Sequence, residues 1–199
     1  LMIQFSNLNK AEPYKKFQKL YELAEKTGQL NPDAACISSF DEDNDCVDSR
    51  YVNIKYINQE EWIFFSNYNS PKSKQIRSNE KISVLFFWPA INSQIRIKAK
   101  AFFTDQDFSN KHYQKRDQGK NLLALISYQS QPMTSYKEFL NKYEDYEKKD
   151  IVTERPTYWG GISFEPFYFE FWTGKKYRLN ERISYEKNIN GWNKILLQP

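Results

Sequence analysis

Apolar residues between Asn9 and Gly28 recur at helical spacing: Tyr14, Phe17, Leu20, Tyr21 and Ala24 fall on one stripe, with Pro13 at a favoured first-turn position and Gly28 as a stop. From Asp33 the period shortens to two. Segments 34–40, 50–57, 61–66, 81–88, 94–103, 161–172 and 193–197 are rich in β-branched and aromatic residues and read as strands. In QIRIKAKAFF, Gln94, Arg96, Lys98 and Lys100 share one face, and Ile95, Ile97, Ala99 and Ala101 share the other. The separators DEDNDCVDS and NQE read as hairpin turns. So many nearly sequential strands predict an antiparallel barrel or sandwich. Helices interrupt the meander after Ser70–Pro71, from Thr104 (with Asp107 three residues on) through Arg116, and from Ser135 (with Glu138) through Lys149. The expectation is one α+β, mainly β domain over 1–199, with the 1–28 segment supplying a helix packed on the sheet.

Composition narrows the class. A chain of 199 residues can bury a core without disulfides or a structural metal, and 17% aromatic residues exclude general disorder. No run of 18 apolar residues exists and LMIQFSNLNK lacks a basic start before a long apolar stretch, so neither a membrane span nor a secretory signal is expected. The net charge of +4 is spread along the chain, without the clustered basic face that nucleic acid requires. Cys36, Cys46 and the single histidine, His112, do not make a zinc site, and the thiols read as free in a reducing cytoplasm.

Hydrolytic constellations are missing: there is no G-x-S-x-G, H-E-x-x-H, Walker loop or G-x-G-x-x-G. Poor side-chain chemistry favours a borrowed cofactor. Against that background, polar and cationic residues sit inside apolar strands or at their ends. Arg50 and Lys55 bracket YVNI, Lys72 lies in a first helical turn, Gln94 starts a strand, Gln129 and Ser130 precede Pro132, and Trp172 leads to Arg178 and Arg182. Such groups either face water or meet an anionic, hydrogen-bonding ligand. The helix start at Ser70–Lys74 offers amides suited to phosphate. In one regular strand Arg50 and Lys55 would face opposite ways, so a shared ligand requires a bulge or a strand end.

Taken in order, RYVNIK (50–55), IFFSNYNSPK (63–72), SQIRI (93–97), YQSQ (128–131), YWGG (158–161), EFWTG (170–174), RLNER (178–182) and the closing GWNKILLQP resemble the pyridoxamine 5'-phosphate oxidase family of flavin mononucleotide (FMN) enzymes, from about Ala11 to Pro199. The resemblance implies an FMN-binding split β-barrel and a homodimer with two FMN sites across the subunit interface. One subunit would line the flavin with Arg50, Val52, Asn53, Ile54 and Lys55 and complete the site with Phe65, Ser66 and Lys72. The other would supply Gln94, Gln129, Ser130, Trp172 and Arg182. The implied activity is oxidation of pyridoxamine or pyridoxine 5'-phosphate to pyridoxal 5'-phosphate, with O2 as acceptor and Arg178 and Asn180 as the ring-facing, catalytic pair.

Several positions depart from the family. Of the four substrate-phosphate positions, Lys55 and Arg116 agree while His112 and Lys120 differ, although spacing by four would set 112, 116 and 120 on one face of a continuing helix. Asn180 stands where the family has His, and Pro71 where it has Arg. These differences keep two other readings open: a related FMN oxidoreductase with another substrate, such as the phenazine-pathway oxidases, or a non-catalytic flavin or pyridoxal-phosphate binder.

Overall fold

Pro13 enters the first turn of helix α1 (Glu12–Lys26), where a missing N–H leaves no helical acceptor unserved. The computed structural model describes residues 2–149 and 154–199. On α1, Tyr14, Phe17, Tyr21 and Ala24 are buried as the stripe predicts, and Leu20 lies half-buried at its edge. Asn9 secures the entry by accepting the Ala11 amide at 2.7 Å. Phe17 then packs 4.4 Å from Trp62, 5.1 Å from Phe86 and 5.5 Å from Trp88 (ring centroids), so the helix face buries into an aromatic cluster.

Among the described residues, ten strands follow the chain as β1 (Gln4–Ser6), β2 (Ala34–Asp41), β3 (Cys46–Asn53), β4 (Tyr56–Asn58), β5 (Glu61–Asn67), β6 (Lys81–Trp88), β7 (Ser93–Phe103), β8 (Trp159–Thr173), β9 (Glu181–Asn188) and β10 (Gly191–Leu197). They pair in the order β1-β4-β5-β8-β7-β6-β2-β3, with β9 on β8 and β10 on β9. The β2–β3, β2–β6, β4–β5, β6–β7, β8–β9 and β9–β10 ladders are antiparallel, as expected, but β1 pairs parallel to β4. In β7, Ile95, Ile97, Ala99 and Ala101 are buried and Arg96, Lys98 and Lys100 are exposed, which is the predicted alternation.

Four local expectations need correction. Segment 50–57 is not one strand: β3 stops at Asn53, Ile54 N donates to the Asp33 carbonyl at 2.9 Å and Lys55 N to the Ile63 carbonyl at 2.8 Å, and β4 begins afterwards. The turn after β2 is shorter than DEDNDCVDS, since Cys46–Ser49 already pairs with Ser38–Asp41. Helix α3 (Gln106–Lys115) is capped by Asp105, whose carboxylate accepts the Phe108 amide at 2.6 Å; the Thr104 hydroxyl instead lies 3.0 Å from that of Ser109. And α3 ends before Arg116, which is extended at ψ 148, so that a separate helix α4 (Gln118–Ile126) starts behind an Asp117 cap. Helices α2 (Pro71–Ser78) and α5 (Tyr136–Glu147, capped by Ser135) stand where the sequence places them.

The chain falls into two compact units. The first comprises 1–64, 75–102 and 163–199 and carries the aromatic cluster; the second comprises 65–74 and 103–162 and carries α3, α4 and α5. Among the described residues, no helix is long and apolar enough to cross a membrane.

Candidate functional site

In the first unit the Arg50 side chain is held by acceptors drawn from several elements. Arg50, on β3, donates to Asp48 Oδ2 at 2.6 Å, to Ser39 Oγ and Gln75 Oε1 at 2.7 Å each, and to the Ile37 carbonyl at 3.3 Å. Ser39 and Gln75 are themselves buried and bonded to one another at 2.6 Å, so the guanidinium is fixed from several sides. Lys55 follows the break after β3 and donates to the buried Asp33 carboxylate at 2.8 Å. That break is the strand end the sequence argument required, because it frees Lys55 from the strict alternation that would oppose it to Arg50. Ile54 between them is fully buried, Val52 is half-buried and Asn53 is exposed.

Further along this unit, Gln94 is half-buried and sits opposite Phe87 in the β6–β7 ladder. Trp172 and Arg182 are direct cross-strand partners in the β8–β9 ladder. The connection between those strands bends sharply. Tyr177 and Arg178 both have positive φ (58° and 62°), a conformation costly for residues with a Cβ, and Arg178 is exposed. Asn180 steadies this bend, its side-chain oxygen accepting the Lys175 amide at 3.0 Å.

The second unit gathers a different group. The Lys72 ammonium, in the first turn of α2, donates to Ser66 Oγ at 3.1 Å and Ser70 Oγ at 3.3 Å. Ser73 Oγ lies 3.1 Å from Ser70 Oγ and donates to the Asn67 carbonyl at 2.8 Å. All five residues are buried, so a cation and three hydroxyls converge beside a helix start. Gln129 is exposed and its side-chain oxygen lies 3.4 Å from the Asn67 amide nitrogen, while the neighbouring Ser130 turns the chain at φ 66°.

Phe65 carries an aromatic stack in the same unit: His112 lies flat on it at 3.6 Å between centroids and Trp159 at 5.3 Å. Arg116 lies 4.8 Å over Trp159 and donates to the Lys120 carbonyl and, at 3.2 Å, to Asn121 Oδ1. Burial lowers the Arg116 pKa from its ordinary value, its cationic form being the one that loses hydration. Lys120 is exposed. The three positions therefore do not share a helical face, because the α3–α4 break intervenes.

The structure thus brings together Ser66 with Lys72, Phe65 with His112, Arg116 with Lys120, and Trp172 with Arg182. Sequence reasoning missed their supports: Ser39, Asp48, Gln75, Asp33 and Ser73. Asp33, Ser39 and Gln75 lie many residues from the side chains they hold, Ser73 sits on an otherwise ordinary helix, and Asp48, two residues from Arg50, reads as part of a polar turn; none carries a periodic signal.

The chain matches the family model described as pyridoxamine 5'-phosphate oxidase over residues 23–150, and that of the pyridoxine 5'-phosphate oxidase C-terminal dimerisation region over 159–199. It is 30% identical over 190 residues to a pyridoxine/pyridoxamine 5'-phosphate oxidase of Rubrobacter xylanophilus, covering 94% of this chain and 87% of that protein. It is 33% identical over 192 residues to pyridoxine/pyridoxamine 5'-phosphate oxidase 1 of Hydrogenovibrio crunogenus, covering 94% and 88%. Among solved structures, PhzG of Burkholderia lata 383, in complex with tetrahydrophenazine-1-carboxylic acid, superposes with a TM-score of 0.89 at 23% identity, covering 94% of this chain and 93% of that one. A pyridoxamine 5'-phosphate oxidase-related, FMN binding protein of Nostoc punctiforme gives a TM-score of 0.78 at 12% identity, covering 96% and 99%. These two likenesses establish the mainly β, split-barrel fold, and the sequence matches establish the lineage: this chain belongs to the pyridoxamine 5'-phosphate oxidase family.

Proposed function

We propose that the protein is an FMN-dependent oxidase of pyridoxamine or pyridoxine 5'-phosphate, acting as a homodimer. The observation that carries this reading is the buried cluster of Lys72, Ser66, Ser70 and Ser73 at the start of α2. Its donor chemistry fits a phosphate monoester: a compact cation, rotatable hydroxyls and helix-start amides supply charge and hydrogen bonds together. Pro71 in place of the family Arg removes one cation from this set while keeping the helix start.

Arg50, Lys55, Phe65, Ser66 and Lys72 hold the cofactor from one subunit; Val52, Asn53 and Ile54 line it; Gln94, Gln129, Ser130, Trp172 and Arg182 come from the other. Bound FMN supplies a two-electron acceptor for the substrate's C4' carbon, with dioxygen as the final acceptor. Arg116 and Lys55 grip the substrate phosphate, His112 and Lys120 shape its surroundings, and Arg178 and Asn180 orient the pyridine ring. Orientation and fixed charge are the protein's contribution, since the chain carries no motif that pairs a nucleophile with a base.

The test is to load the purified protein with FMN and mix it with pyridoxamine 5'-phosphate. Expected are flavin bands, aldehyde absorbance under air and flavin bleaching without oxygen. Failure of both aldehyde formation and bleaching overturns the substrate assignment. A second reading, an FMN oxidoreductase with a different substrate, draws on His112, Lys120 and Asn180. It requires bleaching by another reduced heterocycle and none by the vitamin B6 phosphates.

A further inference from the structure

Of the residues assigned to the cofactor, Arg182 is tied to a charged cluster whose other members have no role in that chemistry. Glu170, on β8, has 3% of its side chain exposed, and it stands between two phenylalanines that are also buried. Its two oxygens are divided between two arginines. Oε1 accepts from Arg182 Nε at 3.0 Å and Nη2 at 2.8 Å; Oε2 accepts from Arg96 Nη1 at 2.8 Å and from the Tyr168 hydroxyl at 3.0 Å. The remaining arm of Arg182 is also held, Nη1 donating to the Gln198 carbonyl at 3.1 Å. A guanidinium has five N–H donors, and three of those on Arg182 are spent on these acceptors, which leaves two with directions fixed by the rest. Burial of a carboxylate this complete is costly, and two arginines exceed what its neutralisation requires.

We infer that Glu170 is a positioning residue that aims the free edge of the Arg182 guanidinium at the flavin. The inference rests on the FMN reading. Arg182 reaches its carboxylate across the β8–β9 pair, where Trp172 is its direct cross-strand partner, so one rigid ladder sets both side chains. Arg96 and Tyr168 occupy the second oxygen and keep the carboxylate from rotating. With one negative and two positive charges, the cluster carries a net positive charge held in one geometry.

The sign of the charge change separates aiming from simple electrostatics. Glu170→Gln leaves two arginines uncompensated, so a through-space effect alone would tighten binding of the anionic cofactor. Loss of aim does the opposite, because Arg182 loses both of its bonds to Oε1 as charge-assisted contacts and turns toward water.

The experiment titrates FMN into cofactor-stripped protein by flavin fluorescence quenching and measures the flavin midpoint potential. Expected for Glu170→Gln is FMN binding about tenfold weaker, the loss of one charge-assisted hydrogen bond, with a lowered midpoint potential. Glu170→Asp, which keeps the carboxylate but shortens its reach, should recover part of the affinity. In an Arg182→Ala background, Glu170→Gln should change affinity by less than about twofold, because two residues acting as one unit are non-additive. Unchanged or tighter FMN binding by Glu170→Gln overturns the inference, as does a full tenfold effect that persists without Arg182. If Glu170→Gln fails to fold, Tyr168→Phe removes one of the two donors to Oε2 without altering charge and loosens the carboxylate, and FMN affinity equal to that of the unmodified protein overturns the inference by that route. Failure of the unmodified protein to bind FMN at all would instead defeat the cofactor reading.

Discussion

Two buried tyrosines give a sharp test of how polar groups are balanced in this core. Tyr14 is fully buried, its ring edge-on to Phe169 at 5.2 Å and to Trp192 at 5.9 Å, and its hydroxyl has no hydrogen-bond partner among the described residues. Tyr185 is 1% exposed, yet its hydroxyl donates to Glu12 Oε1 at 2.7 Å. Burial pushes both phenols well above the ordinary tyrosine range, and for Tyr185 the acceptor Glu12 adds to it. Replacement by Phe keeps each ring and removes only the oxygen. An unpaired hydroxyl in an apolar site costs about 1–3 kcal/mol, so Tyr14→Phe should stabilise the fold by about 1 kcal/mol once some loss of packing is allowed. Tyr185→Phe forfeits a bond to a charged acceptor worth about 1.5 kcal/mol, the low end because Glu12 is largely exposed. At about 2–4 °C per kcal/mol for a chain of this size, the two variants should separate by roughly 5–10 °C in Tm, in opposite directions from the parent. Thermal and urea unfolding followed by circular dichroism measures this. A Tyr14→Phe variant as destabilised as Tyr185→Phe would refute the reasoning, since it would mean that the hydroxyl is bonded in solution.

Two other outcomes follow from the same packing. Lys194, at 2.7 Å, and then Tyr185 hold the Glu12 carboxyl below the ordinary 4.5, so its contribution is complete above that value and disappears as pH falls through the lowered one. The pair is exposed, so Glu12→Gln should cost under about 1 kcal/mol at pH 7, and in urea titrations the gap to the parent should close as pH falls through the lowered carboxyl pKa. A gap that widens in acid would contradict this. A Cβ on Gly161 would lie 2.5 Å from Thr104 Oγ1 and 2.8 Å from Thr104 Cγ2, and a β-branched side chain cannot swing clear. Gly161→Ala should therefore cost about 1–3 kcal/mol, and Thr104→Ala in the same chain should return most of it, as chemical denaturation would show.

Period and punctuation along the chain make most of the architecture legible. The alternation in QIRIKAKAFF and the 3.6-residue stripe of α1 are signals written by burial on one face, and each can be read because the face is apolar along its whole length. β1 escapes notice because three residues, Gln4–Ser6, are too few to show a period, and β9 because ERISYEKN places three consecutive buried residues among polar ones. The split of segment 50–57 is a tertiary effect: the amides of Ile54 and Lys55 find acceptors on Asp33 and Ile63, residues that no local pattern connects to them. Candidate site residues are visible because cations and amides are conspicuous in apolar strands. What holds them is not, since Glu170, Ser39 and Gln75 gain meaning only when the sheet brings distant positions within about 3 Å, the reach of a hydrogen bond.

The α3–α4 break changes what the departures from the family imply for substrate. On one continuous helix, His112, Arg116 and Lys120 would have stacked into a single cationic face. Here Arg116 is the extended residue at the end of α3, its guanidinium lying over Trp159 and bonded to the Lys120 carbonyl and Asn121, while Lys120 itself is exposed in the first turn of α4. His112 presents one ring face to Phe65 at 3.6 Å, which closes that face to a ligand. A phosphate in this part of the protein would thus meet one firmly oriented cation, Arg116, rather than three. Arg116 keeps its charge at neutral pH despite burial, since an arginine is not deprotonated there. On the proposed reading, selectivity among phosphorylated substrates then depends on that single guanidinium and on Lys55, and the altered positions act by shaping and tuning the surroundings instead of supplying further grip.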